Sequence, residues 1–203
     1  MLSNPITLLS RSKPKARKVK WTEAQVKTFL DTAYSNWEWR SIGLIVHMAY
    51  EWAQRVGDMR LLTWNNLDLD EQRLDLEQSK RRADVHLPIS DALCKMLVQQ
   101  HKDFGFQAYV APRPEPYNGA YTSYHSTDIH KLVNEVKDSA GLPKELTALD
   151  LRRTGITEMV EAGVDTLGIM QVSGHSNPQS VKPYLVNTLK GARTALNKRN
   201  NDK

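Results

Sequence analysis

The chain has 203 residues, of which 40% are hydrophobic and 25% charged, as is usual for a globular protein with one sizeable core. No window approaches the roughly 20 apolar residues of a membrane span, and the first residues lack the apolar run of a signal peptide. The single cysteine, Cys94, excludes an internal disulfide and a cysteine-based zinc site. These features predict a cytoplasmic protein with no membrane partner.

Positive charge is concentrated in three places along a chain of net charge +5. Residues 11–20 carry six cations and no acid, residues 80–82 are Lys-Arg-Arg, and residues 193–203 carry four more. Clusters this dense are what phosphate neutralisation with counterion release requires. A solvated linker or tail has the same composition, so each cluster alone leaves both interpretations open.

Residues 1–20 contain two prolines and little apolar periodicity, and we interpret them as a basic arm or linker. Thr22 then predicts the N-cap of a helix with one apolar face. A second and more apolar helix is expected over residues 40–54. A short helical piece follows Arg55 and reaches Trp64.

Three short alternating stretches, residues 67–69, 73–77 and 85–87, predict a small antiparallel sheet of two or three strands. Helices are then expected in six further stretches: 90–101, 121–140, about 148–162, 164–173, 178–185 and 188–198. The fold class is therefore α+β, mainly α, with one small antiparallel sheet.

Four separated segments carry residues suited to phosphate chemistry. The stretch AQRVGDMRLLTW (53–64) contains Arg55, and LRRT (151–154) contains Arg152. The stretch SGHS (173–176) contains His175, which precedes Tyr184 by nine residues, and Lys80 follows the second predicted strand. Each segment alone is a weak signal. Their order, spacing and setting together resemble the catalytic domain of the tyrosine recombinases, the phage integrase family.

The resemblance covers roughly residues 21–190. It implies the fold of that catalytic domain, with residues 1–20 as an interdomain linker and residues 191–203 as a C-terminal tail. In the family such a tail docks on a neighbouring subunit. Here Leu185, Leu189, Ala192 and Leu196 recur at helical spacing and form an amphipathic segment too short to be stable alone. Docking of this segment on its own core is the alternative.

The resemblance also implies a set of catalytic roles that the chemistry of the residues supports. Arg55 and Arg152 can each hold phosphate oxygens in a bidentate way, which lysine cannot. Tyr184 resembles the nucleophile that forms a 3′-phosphotyrosine, Lys80 the general acid for the leaving 5′-oxygen, and His175 a hydrogen-bond donor to the scissile phosphate. The implied function is site-specific cleavage and rejoining of DNA in phage or mobile-element integration and excision.

The implied partners are double-stranded DNA at attachment sites, three further copies of the chain in a tetramer on that DNA, and accessory proteins that bend it. The place of action would be the DNA of a bacterial host cell. Seven other cations are candidate DNA contacts: Lys13, Lys15, Arg17, Lys18, Arg81, Arg82 and Arg153. The remaining histidines are scattered without a ligand pattern, so we predict neither a metal nor a cofactor.

Some assignments have structural alternatives. Arg55 could be a surface cation at a helix end, Tyr184 could cap the core, and Arg81 or Arg82 could take the phosphate contact in place of Lys80. The family usually has histidine three residues before the second arginine, where this chain has Leu149. Leucine cannot transfer a proton, so a DNA-binding protein of the same fold with weak or lost catalysis is the alternative function.

Overall fold

A computed structural model describes residues 19–80, 82–184 and 188–201. The helices are α1 (Glu23–Tyr34), α2 (Arg40–Glu51), α3 (Val56–Met59), α4 (Asp91–Phe104), α5 (Ser126–Ser139), α6 (Asp150–Glu161), α7 (Thr166–Ser173) and α8 (Leu189–Asn201). The strands are β1 (Leu67–Asp68), β2 (Arg73–Glu77) and β3 (Asp84–Pro88). The predicted class, mainly helical with a small antiparallel sheet, is confirmed. Among the described residues, no helix has the length and apolar character needed to cross a membrane.

The first helix begins where the sequence predicts. Thr22 accepts a hydrogen bond from the backbone of Gln25, and the Gln25 side chain accepts one from the backbone of Thr22. This reciprocal capping box satisfies two backbone N–H groups that the first helical turn leaves without partners. The preceding residue, Trp21, is buried and donates its indole N–H to the carbonyl of Thr147, 2.9 Å away. The chain is therefore anchored to the core before α1 begins.

Helix α2 is the centre of the core. Its residues Ile42, Leu44, Ile45 and Met48 are fully buried, and it packs against α1, α3, α4, α5 and α6. A helix that is apolar on most of its surface needs such neighbours on several sides. The C-terminal end of α2 leads directly into the segment that carries Arg55.

The sheet has the order β1-β2-β3, and both pairs are antiparallel. In the second pair Leu74 lies opposite Leu87 and Leu76 opposite Val85. Along β3 the residues Val85 and Leu87 are buried and His86 is exposed. The apolar residues of the alternating pattern that predicted the strand therefore form its core-facing side. The pairing of β2 with β3 thus determines the position of the turn between them, which carries Lys80.

Three predicted helices have different bounds in the structure. The expected helix over 121–140 begins only at residue 126, because an Asn118-Gly119 turn with two positive φ angles and an extended stretch precede it. The expected helix over 178–185 is two short 3-10 helices, Pro178–Ser180 and Lys182–Tyr184. Helix α2 ends at Glu51 and not near residue 54, because Ala53 has a φ of 49°.

Helix α8 packs against α6 of its own chain through polar groups. Thr194 donates to the carbonyl of Glu161 at 3.0 Å, and the Lys198 ammonium donates to the carbonyl of Gly163 at 2.8 Å. Leu189 and Leu196 are exposed, while Leu185 lies outside the described residues. The apolar face that suggested docking between subunits is therefore on the outside, and that role stays a prediction.

The crossing of α6 over α2 depends on a small residue at position 155. A Cβ atom added to Gly155 would lie 3.0 Å from the carbonyl oxygen of Tyr50 and 3.1 Å from the Cβ of Ala53. Both distances are shorter than ordinary packing contacts. Glycine therefore allows the helix that carries Arg152 to approach the end of α2 closely.

We predict that Gly155→Ala lowers the free energy of unfolding by about 1 kcal/mol. The steric cost of adding one methyl group at this crossing should exceed the stabilisation that alanine gives a helix relative to glycine. Gly57→Ala on α3 is the matched control, because a Cβ there has no neighbour within 4 Å. The control should be neutral or gain up to about 1 kcal/mol. Urea denaturation of both variants checks this, and equal stabilities would contradict the close crossing.

Candidate active site

Arg152 occupies the centre of the site and is held by main-chain carbonyls. It lies in the first turn of α6 with 7% of its surface exposed. Nη1 donates to the carbonyl of Ala53 at 3.1 Å, and Nη2 donates to the carbonyl of Ser173 at 2.7 Å. Burial, and then the nearby charge of Arg55, lower the pKa of Arg152 to about 10. The guanidinium is therefore still charged at neutral pH, although both effects disfavour that charge.

The carbonyl of Ala53 is aimed at Arg152 by an unusual backbone conformation. Ala53 is a non-glycine residue with a φ of 49°, in the left-handed region that costs an alanine free energy. It is buried beside Ile156, Ile169 and Val181, which form a second and smaller apolar cluster. This packing holds the residue in place, as strained conformations at functional sites require.

Arg55 comes immediately before α3 and faces the same space. Its Nη1 donates to the side-chain oxygen of Gln78 at 3.0 Å and lies 3.5 Å from the carboxylate of Asp58. Asp58 also accepts from the hydroxyl of Ser79 at 2.5 Å. The carboxylate thus ties α3 to the turn that follows β2, in a position to orient Arg55. Arg55 is anchored on two sides and is not a loose surface cation.

A buried pair of glutamines, which no sequence pattern predicted, connects the two arginines. The Gln78 amide nitrogen donates to the Gln54 side-chain oxygen at 2.5 Å and to the carbonyl of Ser173 at 2.9 Å. Gln54 in turn donates to the carbonyl of Val172 at 2.7 Å. Gln78 is fully buried, which makes each of these hydrogen bonds costly to lose. Their position beside the predicted Arg55 and Lys80 is the only signal the sequence offers.

Gly174 is required by both its conformation and its neighbours. It ends α7 with a φ of 66°, in the left-handed region that favours glycine. A Cβ atom at this position would lie 2.5 Å from the Gln78 amide nitrogen. The glycine before His175 therefore lets α7 end against the glutamine network and directs the next residue into the site.

The hydrogen bonds of His175 assign its tautomer. Ser173 donates its hydroxyl hydrogen to the carbonyl of Ile169 at 2.6 Å, so its oxygen accepts from Nδ1 of His175, also at 2.6 Å. Nδ1 then carries a hydrogen, and Nε2 faces Nη2 of Arg152 at 3.5 Å. The ring is buried. His175 thus belongs to the same cluster as Arg152.

Tyr184 closes this cluster. It ends the 3-10 helix Lys182–Tyr184, is half-buried, and has its ring centroid 5.6 Å from that of His175. The phenol lies close to Arg152 and partly offsets the lowering of the pKa of Arg152. Arg153 is also close to this ring, with its guanidinium carbon 5.3 Å from the tyrosine ring centroid. The structure brings Arg55, Arg152, His175 and Tyr184 together as the sequence predicts.

Lys80 is placed differently. It is exposed in the turn between β2 and β3, and its side chain forms no hydrogen bond or ion pair with another described residue. Arg82 in the same turn is exposed and pairs with Glu77 at 3.0 Å. The candidate contacts Lys13, Lys15, Arg17, Lys18 and Arg81 lie outside the described residues. The roles given to these cations stay predictions.

Leu149 directly precedes α6 and is 68% exposed. Its neighbour Asp150 is buried and accepts hydrogen bonds from the backbone and the hydroxyl of Thr147. The aspartate is therefore engaged in local structure and does not replace a histidine in the site. Among the described residues, no group of three or more histidine, cysteine or acidic side chains is arranged to hold a metal ion.

Comparisons with known proteins identify the family and the fold of the chain. The model of the phage integrase family matches residues 20–190. The chain therefore belongs to the phage integrase family, as its sequence motifs predict. No curated protein matches the chain.

Solved structures with the same fold share little sequence with this chain. XerA recombinase superposes with a TM-score of 0.73 at 21% identity, over 98% of this chain and 69% of that one. A lambda integrase dimer bound to a COC′ core site gives 0.67 at 19% identity, over 90% of this chain and 52% of the other. The Tn1549 transposon integrase with circular intermediate DNA gives 0.67 at 18% identity, over 91% and 67%. The chain thus spans only about half the length of the lambda protein.

We predict that Gln78→Leu lowers the activity of the site by about 10-fold to 10²-fold, because Arg55 loses its anchor and small misplacements of catalytic groups are costly. Gln100→Leu is the matched control, since Gln100 is also fully buried but bonds to Ser41, away from the arginines. The measurement is the rate of covalent adduct formation with nicked DNA at equal folded fractions. Equal rates in the two variants would show that Gln78 has no positioning role.

Proposed function

We propose that this chain cleaves and rejoins double-stranded DNA as the catalytic domain of a site-specific recombinase, through a 3′-phosphotyrosine intermediate. The observation that carries the proposal is the cluster of Arg55, Arg152, His175 and Tyr184. Its buried arginine donates to two neutral main-chain carbonyls, and no carboxylate of the described residues forms an ion pair with it. A phosphodiester is the anion that two such guanidinium groups would bind.

The proposed chemistry needs only protein side chains. The oxygen of Tyr184 attacks phosphorus and passes its proton to Nε2 of His175, while the bond from phosphorus to the 5′-oxygen breaks. Arg55 and Arg152 stabilise the charge on the phosphoryl oxygens, and Lys80 gives a proton to the leaving 5′-oxygen. The products are a phosphotyrosine ester and a free 5′-hydroxyl. Attack by the 5′-hydroxyl of another strand reverses the step, so strands are exchanged without ATP.

Lys80 can serve as this acid because its turn is anchored at one end. Ser79 bonds to Asp58, which is next to Arg55, through both its hydroxyl and its backbone N–H. We assign the role of the acid to the exposed lysine beside it. We further propose attachment-site duplexes as the substrate, a tetramer as the active assembly, bending proteins as partners and a bacterial host as the setting. The lambda integrase structure, a dimer on a core site, supports DNA as the partner.

We predict that Tyr184→Phe abolishes the covalent adduct with nicked attachment-site DNA and leaves the affinity for DNA nearly unchanged, because only the nucleophilic oxygen is removed. Tyr109→Phe is the matched control. Tyr109 is also half-buried, but it lies beside Thr63, in another part of the fold. Denaturing electrophoresis detects the adduct and a gel-shift assay measures the affinity. An adduct that persists in the Tyr184 variant contradicts the assignment.

We predict that Leu149→His raises the rate of adduct formation by about 10-fold or more with little change in DNA binding, since a positioned acid or base typically contributes about 10²- to 10⁴-fold. The exposed Leu149 can be replaced without opening a cavity in the core. Leu196→His, at an exposed leucine of α8, is the control and should leave the rate unchanged. If the Leu149 variant reacts no faster, the proton of Tyr184 leaves by a route that does not involve position 149.

A further inference from the structure

An apolar groove runs along α1 on the side where this helix meets α2 and α4. It has a volume of about 750 Å³, and α1 contributes residues to it from its first turn to its last. Its walls include Leu30, Tyr34, Tyr50 and Met96, which are half-buried and pack against the main core. An exposed apolar surface of this extent is typical of a site that another molecule or segment covers.

The polar side chains of this groove already have partners. The hydroxyl of Tyr34 lies 2.9 Å from Nδ1 of His47, and Nε2 of His47 lies 3.5 Å from the carboxylate of Glu51. Glu51 also accepts from the backbone N–H and the hydroxyl of Ser90, at 3.0 and 2.8 Å. An apolar segment can therefore cover the groove without leaving these buried polar groups unsatisfied.

The end of the groove at the start of α1 is acidic. Glu23 lines it, and burial, together with the charges of Glu23 and Glu161, raises the pKa of the nearby Glu158. Within the described residues neither Glu23 nor Glu158 forms an ion pair, whereas Lys20, the last cation of the basic arm, pairs with Glu161 at 2.8 Å. The arm thus already brings one cation to this acidic end, where two carboxylates remain for others.

The chain itself contains a segment whose composition matches this groove. Residues 1–10 read MLSNPITLLS, with aliphatic side chains at positions 2, 6, 8 and 9 and no charged one, and residues 11–20 carry six cations. Pro5 disfavours a helix through the middle of the apolar part. In an extended segment Ile6 and Leu8 would point to the same side. An apolar segment followed by cations is complementary to an apolar groove that ends in carboxylates.

The arm is also long enough to reach the groove. Helix α1 is about 16 Å long at 1.5 Å per residue, and the five residues Pro5–Leu9 cover the same length when extended at about 3.3 Å each. Val19, where the described part of the chain begins, packs against the main core close to the start of α1. The intervening residues 10–18 can span up to about 30 Å, nearly twice the length of α1.

We propose that residues 5–9 of this chain dock in the groove along α1, with Ile6 and Leu8 against its apolar walls. The cations of residues 11–18 then lie beside Glu23 and Glu158. Docking fixes the basic arm on one side of the domain, and so determines on which side its cations are presented. The contact is independent of the proposed cleavage chemistry, because none of these residues belongs to the cluster of arginines, histidine and tyrosine.

Spin labelling of the full chain tests this proposal. In a Cys94→Ala background, a nitroxide is attached at Thr7→Cys, on the side of the extended segment that faces away from the groove. The label should broaden the backbone amide signals of Ala24 and Ala92, on the α1 and α4 walls, more than the signal of Val98. Val98 lies on α4 but lines no part of this groove. Equal broadening at the three positions, or none, overturns the proposal.

A pair of double variants tests the assigned contacts. Ile6→Ser with Leu8→Ser should remove the selective broadening and lower the melting temperature by about 2–4 °C, the shift expected for about 1 kcal/mol in a chain of this size. Leu2→Ser with Leu9→Ser is the matched control, because it removes as many apolar side chains from the arm but leaves the two docking residues. The control should keep both the broadening and the melting temperature. The same result in both double variants overturns the assignment.

A mixed sample separates docking within one chain from docking between copies. Spin-labelled protein without isotope is mixed with isotope-labelled protein that carries no nitroxide, so only contacts between copies broaden the observed signals. Docking within the chain predicts no selective broadening at the groove in this mixture. Broadening that appears there shows that the groove takes the arm of a second copy, and it overturns the proposal.

Discussion

Orientation of arginine by uncharged acceptors is the interaction on which this site depends. Arg152 is bonded to two main-chain carbonyls, and Arg55 is bonded to the amide oxygen of Gln78 with Asp58 at the longer distance of 3.5 Å. A close carboxylate would position the guanidinium groups equally well but would cancel their charge. Carbonyl and amide oxygens position them and leave the charge for a phosphate. The lowered pKa of Arg152 reflects the free energy that this arrangement costs.

Several features of the surrounding fold follow from that arrangement. A carbonyl can only serve as an acceptor if the backbone turns it inward, and Ala53 does so at a φ of 49°. The carbonyl of Ser173 is placed by the end of α7, where Gly174 allows the close approach of Gln78. Gly155 permits α6 to bring Arg152 within reach of both. Small or strained residues are thus concentrated where α2, α6 and α7 converge.

The sequence predicted the charged and reactive residues of the site better than the groups that position them. Arg55, Arg152, His175 and Tyr184 lie in recognisable segments with characteristic spacing, and α-helical and strand periodicities located most elements. Gln54 and Gln78 are separated by 24 positions and meet only in the fold, so no local pattern could pair them. The start of α5 was predicted too early, because a turn at 118–119 competes with helical periodicity and its effect extends several residues.

The tautomer of His175 bears on how a chain with Leu149 could move a proton. Because Nδ1 donates to Ser173, Nε2 is the acceptor nitrogen of the neutral ring. Nε2 faces Arg152, and the ring lies close to that of Tyr184. In that form it can take the proton of the phenol, and the resulting imidazolium would then donate to the phosphate. His175 would then act first as the base and afterwards as the hydrogen-bond donor. In a chain with a histidine at position 149, the two histidines could share these roles. A cation formed in this way would add to the positive charge of the arginines, so we expect bound phosphate to favour the transfer. Proton movement and substrate binding would then be coupled through the positive charge of the site.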